Sequence, residues 1–288
     1  MTAATRTPRA SRLSPAIETA ASRVFRDREP GRRRVILCYH SIHPTAPYAS
    51  ATPTEFGEQL DWLREHCEVV GLDEIRDPSS RNRPRVALTF DDGYLDNWQN
   101  AFPALAARGM SATFFVTVGF IDRAPEVIDR MARLWGVAPG DLDPLRWDQL
   151  REMRAAGMHV GSHTVSHPNL AALPSAAAAE ELLTARERLE AQLQQAITAV
   201  AYPFGKPGRH VTHATAELAG SAGYSCGVTV SPRAVTPGDD PLLLPRLAVG
   251  NDDLDQLHAK VVGNIDWHAY VHERAPRSLV RLALFGRA

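Results

Sequence analysis

The feature that most constrains the fold of this 288-residue chain is an alternation between short apolar runs and helix-like segments. The runs at 35–39, 86–90 and 112–117 contain no charged residue. Strands without a polar face are typical of a parallel sheet that helices cover on both sides. The number of repeats favours closure into a single α/β barrel over an open sheet, although spacing alone does not decide between the two.

Helix boundaries are marked by capping residues and by glycine. A helix is predicted at 53–66 with Thr52 or Thr54 as its N-cap, and Gly109 and Gly157 are placed to end two later helices. The further helices are predicted at 97–108, 147–156, 175–195 and 211–222, and the further strands at 158–161, 198–202 and 224–230.

Charge is balanced over the whole chain but not along it. The net charge of −1 predicts no nucleic-acid partner. Residues 1–33 and Arg34 together carry nine arginines against three acidic residues. We interpret 1–33 as a basic N-terminal arm, which is either a solvated segment or a segment attracted to an anionic membrane surface. The basic and apolar run at 274–285 allows the same two readings.

The remaining composition predicts a cytoplasmic protein. Cys38, Cys67 and Cys226 form no metal-type spacing and leave one thiol unpaired, which favours a reducing compartment. The chain shows neither a secretory h-region nor an apolar run long enough to span a bilayer. The alternative location is peripheral to the inner membrane leaflet. We divide the chain into the arm, a catalytic domain at 34–250 and a C-terminal helical extension at 251–288.

Polar residues follow directly after several of the apolar runs. His40 follows the first run, Asp91 and Asp92 follow another, and His163 and His167 follow a third. The carboxyl ends of parallel strands lie on one face of an α/β barrel, and that face carries the active site. These side chains are therefore expected to share one pocket.

Asp92, His163 and His167 are predicted to bind a metal ion. Histidines four residues apart lie above one another on a helical turn, so both imidazoles can face one ion, although such pairs are often ordinary surface residues. A carboxylate as third ligand leaves open positions for water and substrate, as in catalytic sites. Asp91 is then available to deprotonate the water, and the alternative for the Asp91–Asp92 pair is a polar strand end or a helix cap.

Two motifs resemble those of a known enzyme family. Thr89–Gly93, with the sequence TFDDG, and His163–His167, with the sequence HTVSH, resemble the first two signature motifs of the NodB-type polysaccharide deacetylases, the fourth family of carbohydrate esterases. The similarity extends over 35–247. It also includes the segments 39–40, 112–115, 147–153 and 202–205.

The resemblance implies a distorted (β/α) barrel, usually of seven strands. It implies Zn²⁺, or another divalent ion such as Co²⁺ or Ni²⁺, held by Asp92, His163 and His167, with Asp91 as the general base. The function that follows is removal of an acetyl or other acyl group from an N-acetylated sugar or polysaccharide, with a metal-activated water as the nucleophile.

The chain departs from the family pattern at two catalytic positions. Ala201 stands where the family usually has an arginine that orients the base, and Arg246 is our candidate to take its place. The alternative for Arg246 is an ordinary surface arginine. The late histidine motif that supplies the general acid is not evident, so His40 is the candidate acid; its alternative is a structural histidine bonded to a backbone carbonyl.

The expected substrate contacts come from Tyr202, Pro203 and Phe204, whose faces can pack on a sugar ring or an acyl methyl. The expected partner is an N-acetylated glycan, or a soluble or lipid-linked amino sugar. Two alternatives remain open: hydrolysis of a formamide or an O-acetyl ester, and a non-catalytic glycan-binding barrel.

Overall fold

The computed structural model of the chain describes residues 32–77 and 83–263. Nearly all of the predicted arm, 1–33, lies outside this part of the chain, as does the run at 274–285. Of the predicted C-terminal extension, 251–288, the described part contains one helix. No helix in the described part of the chain is long and apolar enough to cross a membrane.

The described residues form ten strands, and seven of them lie side by side in one parallel row. The strands are β1 (Arg34–Tyr39), β2 (Ser41–Ile42), β3 (Ala49–Ala51), β4 (Glu68–Val69), β5 (Arg85–Phe90), β6 (Thr113–Val116), β7 (His159–Ser162), β8 (Ala199–Ala201), β9 (Cys226–Val228) and β10 (Leu247–Ala248). The spatial order of the row is β10, β1, β5, β6, β7, β8, β9. β4 pairs with β5 outside this row, and β2 pairs with β3.

The row closes on itself through the segment 241–248, which ends in β10. At one end the Leu244 N–H donates to the carbonyl oxygen of Gly227 in β9 at 2.8 Å. At the other end Leu247 is in parallel register with Leu37 of β1. One segment thus joins both edges of the sheet. The result is a distorted, seven-stranded (β/α) barrel, which confirms the predicted fold class.

Helices cover the outside of this barrel. Within the described residues they are α1 (Pro53–His66), α2 (Phe102–Ala106), α3 (Val118–Ile121), α4 (Pro125–Trp135), α5 (Trp147–Ala155), α6 (Ser175–Leu193), α7 (His213–Ser221) and α8 (Leu254–Val262). α1 begins with a capping box, in which the Glu55 N–H donates to Thr52 Oγ1 and the Thr52 N–H donates to the Glu55 carboxylate. Thr52, and not Thr54, is therefore the N-cap.

Three helical regions differ from the sequence-based prediction, and one of them is the short α3, which was not predicted. The helix predicted at 97–108 is divided into a π-helical turn, Asn97–Ala101, and the short α2. Pro103 lies two residues after the end of the turn, and proline lacks the N–H that would continue an α-helical ladder. α4 was not predicted, although Pro125 at its start and Gly136 at its end, with φ of +66°, are ordinary boundary signals.

The core has two layers, separated by the barrel wall. Successive side chains of a strand point to opposite faces, so Val35 and Leu37 pack against the helices while Ile36 points into the barrel. The inner layer is built from side chains of five of the seven strands in the row and of the segment that closes the barrel. It includes Ile36, Ala87, Phe115, Ala201, Val228 and Leu244.

Gly161 of β7 makes room for the largest member of the inner layer. A Cβ at this position would lie 2.4 Å from the Phe115 ring and 3.1 Å from the Ala199 carbonyl oxygen. Neither neighbour can move away easily, since both are packed inside the barrel. Gly161 is thus required by packing and not by a left-handed backbone.

We predict that Gly161→Ala destabilises the protein by about 1–3 kcal/mol, the usual cost of overpacking a dense core. Urea unfolding followed by circular dichroism measures this change. Gly140→Ala is the matched control, because a Cβ at Gly140 meets no atom within 4 Å. Equal stabilities of the two variants would contradict the proposed packing role of Gly161.

Candidate active site

The side chains that follow the strands converge on one cavity at the carboxyl end of the barrel. The cavity has a volume of about 290 Å³. All of the predicted metal ligands and the predicted base face it. It is lined by His40, Asp91, Asp92, Leu134, Trp135, His163, His167, Tyr202, Phe204, Val230 and Ala248.

Asp92, His163 and His167 form a compact set of three possible ligands. Asp92 Oδ1 lies 3.5 Å from Nε2 of His163 and 3.5 Å from Nε2 of His167. The three ligand atoms all lie within 4.8 Å of one another, and all three residues are buried. The spacing is that of atoms which share one ion placed between them.

The backbone turn after β5 aims Asp92 into the cavity. Asp92 has a φ of +74°, and Gly93 follows with a φ of +93°. A positive φ is costly for an aspartate and is usual at functional sites, where the surrounding structure holds it. The Thr117 N–H donates to the Asp92 carbonyl oxygen at 3.1 Å and secures the turn. Consecutive aspartates can therefore point in different directions.

His163 is oriented by the next strand of the barrel. Its Nδ1–H donates to the carbonyl oxygen of Ala201 at 2.8 Å. This bond places the proton on Nδ1 and leaves the Nε2 lone pair directed at Asp92. Ala201 thus contributes a backbone atom to the site, although its side chain is not the arginine of the family pattern.

The expectation that His163 and His167 share a helical turn is wrong. The two residues lie in an irregular loop after β7, and Thr164 and His167 have φ of +67° and +55°. Within the loop the His167 N–H donates to Thr164 Oγ1 at 3.1 Å, in place of a helical bond. The left-handed positions fold the loop back over the strand end, which brings the two rings to a centroid distance of 4.9 Å.

The residues present fit a divalent cation. Asp92 Oδ1 is buried and has no hydrogen-bond partner, so a cation would satisfy it. Burial lowers the pKa of His167, which favours the neutral imidazole that a metal requires. Burial also raises the pKa of Asp92 to about 6, and a divalent cation beside this carboxylate would favour its ionised form. Two imidazoles and one carboxylate are a donor set that suits Zn²⁺, Co²⁺ or Ni²⁺.

Arg246 forms a bidentate ion pair with Asp91. Its two terminal nitrogens lie 2.7 and 2.6 Å from the two Asp91 carboxylate oxygens. The same guanidinium donates to Thr89 Oγ1 at 3.0 Å and to the Thr229 carbonyl oxygen at 3.2 Å. Arg246 is 0% exposed, so it is not an ordinary surface arginine. It enters the barrel from the closing segment, whereas the arginine of the family pattern would stand at Ala201.

The charge of Arg246 controls the ionisation of Asp91. Burial by itself would raise the pKa of Asp91, but the adjacent guanidinium outweighs burial and holds this pKa well below its usual range. Asp91 is therefore a carboxylate throughout the physiological pH range. Both of its oxygens are occupied by Arg246, which separates it from the ligand set of Asp92.

His40 and Cys38 lie beside Asp91 on the other side. A ring nitrogen of His40, Sγ of Cys38 and a carboxylate oxygen of Asp91 are all within 4.8 Å of one another. Burial lowers the pKa of His40 and raises that of Cys38, so both are neutral at pH 7. The His40 ring also meets Trp135 edge-on at a centroid distance of 5.8 Å.

The three predicted substrate-contact residues differ in their positions. Phe204 is 41% exposed at the mouth of the cavity, where its ring meets that of His167 at a centroid distance of 4.8 Å. Tyr202 lines the cavity but is otherwise buried, and its hydroxyl donates to the Leu242 carbonyl oxygen at 3.0 Å. Pro203 is buried and is not among the residues that line the cavity.

Sequence reasoning missed Leu134 and Trp135, which close one side of the cavity. Both lie at the end of α4, and Leu134 is 42% exposed. Trp135 is held by an aromatic cluster that includes Tyr48 and Tyr94. The glycine stop after Trp135 would have identified α4, but no signal in the sequence places its end over the cavity.

Comparisons with known proteins identify the family of this chain. The family model for polysaccharide deacetylases matches residues 79–227, just over half of the chain. YxkH of Bacillus subtilis, which is named as a candidate polysaccharide deacetylase, is 28% identical over 222 residues, covering 74% of this chain and 70% of YxkH. The poly-beta-1,6-N-acetyl-D-glucosamine N-deacetylase of Staphylococcus aureus is 23% identical over 221 residues, covering 72% and 70% respectively.

A solved structure gives the same result. The deacetylase PplD of Streptococcus pyogenes, determined in complex with acetate, superposes with a TM-score of 0.66 at 25% identity. The match covers 80% of this chain and 98% of PplD. The region matched by the family model, 79–227, contains both strand-end motifs. This chain belongs to the polysaccharide deacetylase family.

Proposed function

We propose that the protein is a metal-dependent hydrolase that removes the acetyl group from an N-acetylated sugar or polysaccharide. One observation carries the proposal: an ionised, unligated carboxylate, Asp91, lies beside a buried three-residue ligand set in a single cavity. A binding module needs neither a base nor a ligand set with open positions. The presence of both a base and a ligand set favours an enzyme over the glycan-binding alternative.

Asp92, His163 and His167 would hold the ion. A divalent cation supplies electrophilic polarisation of the acyl carbonyl and lowers the pKa of water to roughly 7. The protein contributes the fixed geometry of its ligands, including the His163 ring that Ala201 orients.

Asp91 acts as the general base that takes a proton from the attacking water. The Arg246 guanidinium keeps Asp91 ionised and fixes the orientation of its carboxylate by donating to both oxygens. Once Asp91 is protonated, the neighbouring guanidinium makes it a strong acid, because the factor that lowers its pKa persists. Asp91 is therefore expected to pass the proton on during the same turnover.

His40 is the proposed relay to the departing amine. Its lowered pKa makes it neutral before the reaction, so it must gain its proton during turnover. Asp91 is close enough to provide that proton, directly or through one water. A protonated His40 then protonates the amine as the C–N bond breaks. The products are acetate and a free amino sugar.

The cavity walls support a sugar substrate with a small acyl group. The walls at the mouth are largely apolar and come from Leu134, Trp135 and Phe204, which can pack on the faces of a pyranose ring. The S. aureus relative is named for poly-beta-1,6-N-acetyl-D-glucosamine, so a polymer of N-acetylglucosamine is the first substrate to test. Soluble and lipid-linked N-acetylated sugars, an O-acetyl ester and a formamide complete the panel.

We predict different defects for substitutions of the two adjacent aspartates. Asp91→Asn should retain one zinc ion per chain but lose about 10²–10⁴-fold in acetate release, because the base is missing. Asp92→Asn should lose the zinc as well, because two ligands hold the ion poorly. Acetate release and metal content are measured on the same preparations. Loss of zinc in Asp91→Asn with retention in Asp92→Asn would mean that the roles are reversed.

We predict that Arg246→Met moves the acid limb of the pH–rate profile to higher pH. Without the guanidinium, burial is the largest remaining influence on the pKa of Asp91 and raises it, so the base is protonated where the wild type is active. Activity near pH 7 should fall by roughly 10²-fold or more, in the range for loss of a general base. Arg246→Lys retains the charge without the bidentate geometry and should shift the limb less. Unchanged acid limbs in both variants would contradict the assignment.

A further inference from the structure

The loop that carries His163 and His167 is attached to α6 by one carboxylate. Glu181 Oε2 accepts hydrogen bonds from the N–H groups of Val165 and Ser166, both at 2.9 Å. Its other oxygen, Oε1, accepts from the Ser166 hydroxyl at 2.6 Å. Three donors of one short loop therefore meet a single side chain from a helix of nineteen residues.

The opposite side of the loop is held by α3. The Val118 N–H donates to the Thr164 carbonyl oxygen at 3.1 Å, and the Gly119 N–H donates to the Val165 carbonyl oxygen at 2.8 Å. A Cβ at Gly119 would lie 2.8 Å from that Val165 oxygen, so only glycine permits this approach. The loop is thus clamped between the backbone of α3 and the carboxylate of Glu181.

The loop needs such a clamp because its own conformation is unfavourable. Thr164 and His167 both adopt a left-handed backbone, which non-glycine residues rarely do. The two residues lie at either end of the segment that Glu181 holds. Neither ligand position is part of a helix or strand, so the separation of the two imidazoles depends on contacts from outside the loop.

We infer that Glu181 is a positioning residue that sets the geometry of the metal ligands His163 and His167. The inference rests on the proposed metal site, but not on the identity of the substrate. Glu181 does not line the cavity, and its hydrogen bonds to the loop are made with Val165 and Ser166, neither of which is a ligand. Groups that orient metal ligands from outside typically change metal affinity by roughly 10–100-fold when they are removed.

Glu181→Ala tests the inference through metal affinity. The variant should bind Zn²⁺ roughly 10–100-fold more weakly than the wild type in a chelator competition titration. In the metal-free protein, the amide hydrogens of Val165 and Ser166 should exchange with solvent faster, while those of the barrel strands should not change. The second measurement needs neither metal nor substrate.

Glu181→Gln should restore most of the affinity. Its amide oxygen can accept from both backbone N–H groups, and its NH₂ can donate to the Ser166 hydroxyl, so all three bonds can be kept without the charge. Glu180→Ala is the matched control, because Glu180 is the exposed neighbour on the same helix. Ser166→Ala removes only the 2.6 Å bond and should give a smaller loss, which also keeps the test valid if Glu181→Ala does not fold.

Each outcome decides the inference. Unchanged zinc affinity and unchanged amide exchange in Glu181→Ala would overturn it. Equal losses in Glu181→Ala and Glu180→Ala would also overturn it, because they would show a general effect on the helix. If the wild type binds no zinc at all, the proposed function fails, and the amide exchange in the metal-free protein still decides whether Glu181 holds the loop.

Discussion

The buried ion pair between Arg246 and Asp91 is the interaction on which both the barrel and the site depend. It joins the segment that closes the barrel to the end of β5, across a distance of 155 residues in sequence. The two buried charges are tolerated here because Arg246 donates to both oxygens of Asp91 in a bidentate geometry. Loss of one partner from such a pair typically costs about 3–5 kcal/mol, so closure of the barrel and orientation of the base are energetically linked.

The same pair links stability to pH in a defined direction. The pKa of Asp91 is lower in the folded protein than in the unfolded chain, so the pair stabilises the fold above the ordinary titration range of aspartate. That contribution is lost as the pH falls towards the folded pKa. The pKa of Asp92 moves in the opposite direction, since burial raises it to about 6. A bound cation would favour the ionised form of Asp92 and so oppose the effect of burial on its pKa.

The predictions of helices, strands and strand-end residues were correct where the sequence signal lies within a short stretch of the chain. Apolar runs and glycine stops located β5 and α5 to within a few residues, and the placement of polar residues after strands brought Asp91, Asp92 and His163 into one cavity. The helical turn assigned to His163 and His167 was wrong because residue spacing does not reveal φ. The left-handed backbone at Thr164 is held by hydrogen bonds with α3 and with Glu181 of α6. Both of these partners lie outside the motif in the sequence.

The sequence by itself determined the family, the alternation of parallel strands with helices and the residue types available for chemistry, because motifs and periodicity are local properties of the chain. Arg246 could be nominated from the sequence as a substitute for the arginine missing at Ala201, but only the tertiary structure placed it on both oxygens of Asp91. The tertiary structure also decided that Trp135 closes the cavity, that Pro203 does not line it and that Glu181 meets the ligand loop. These contacts join residues that lie on different elements, and their distances are set by how the helices pack on the closed barrel, which no short stretch of sequence specifies.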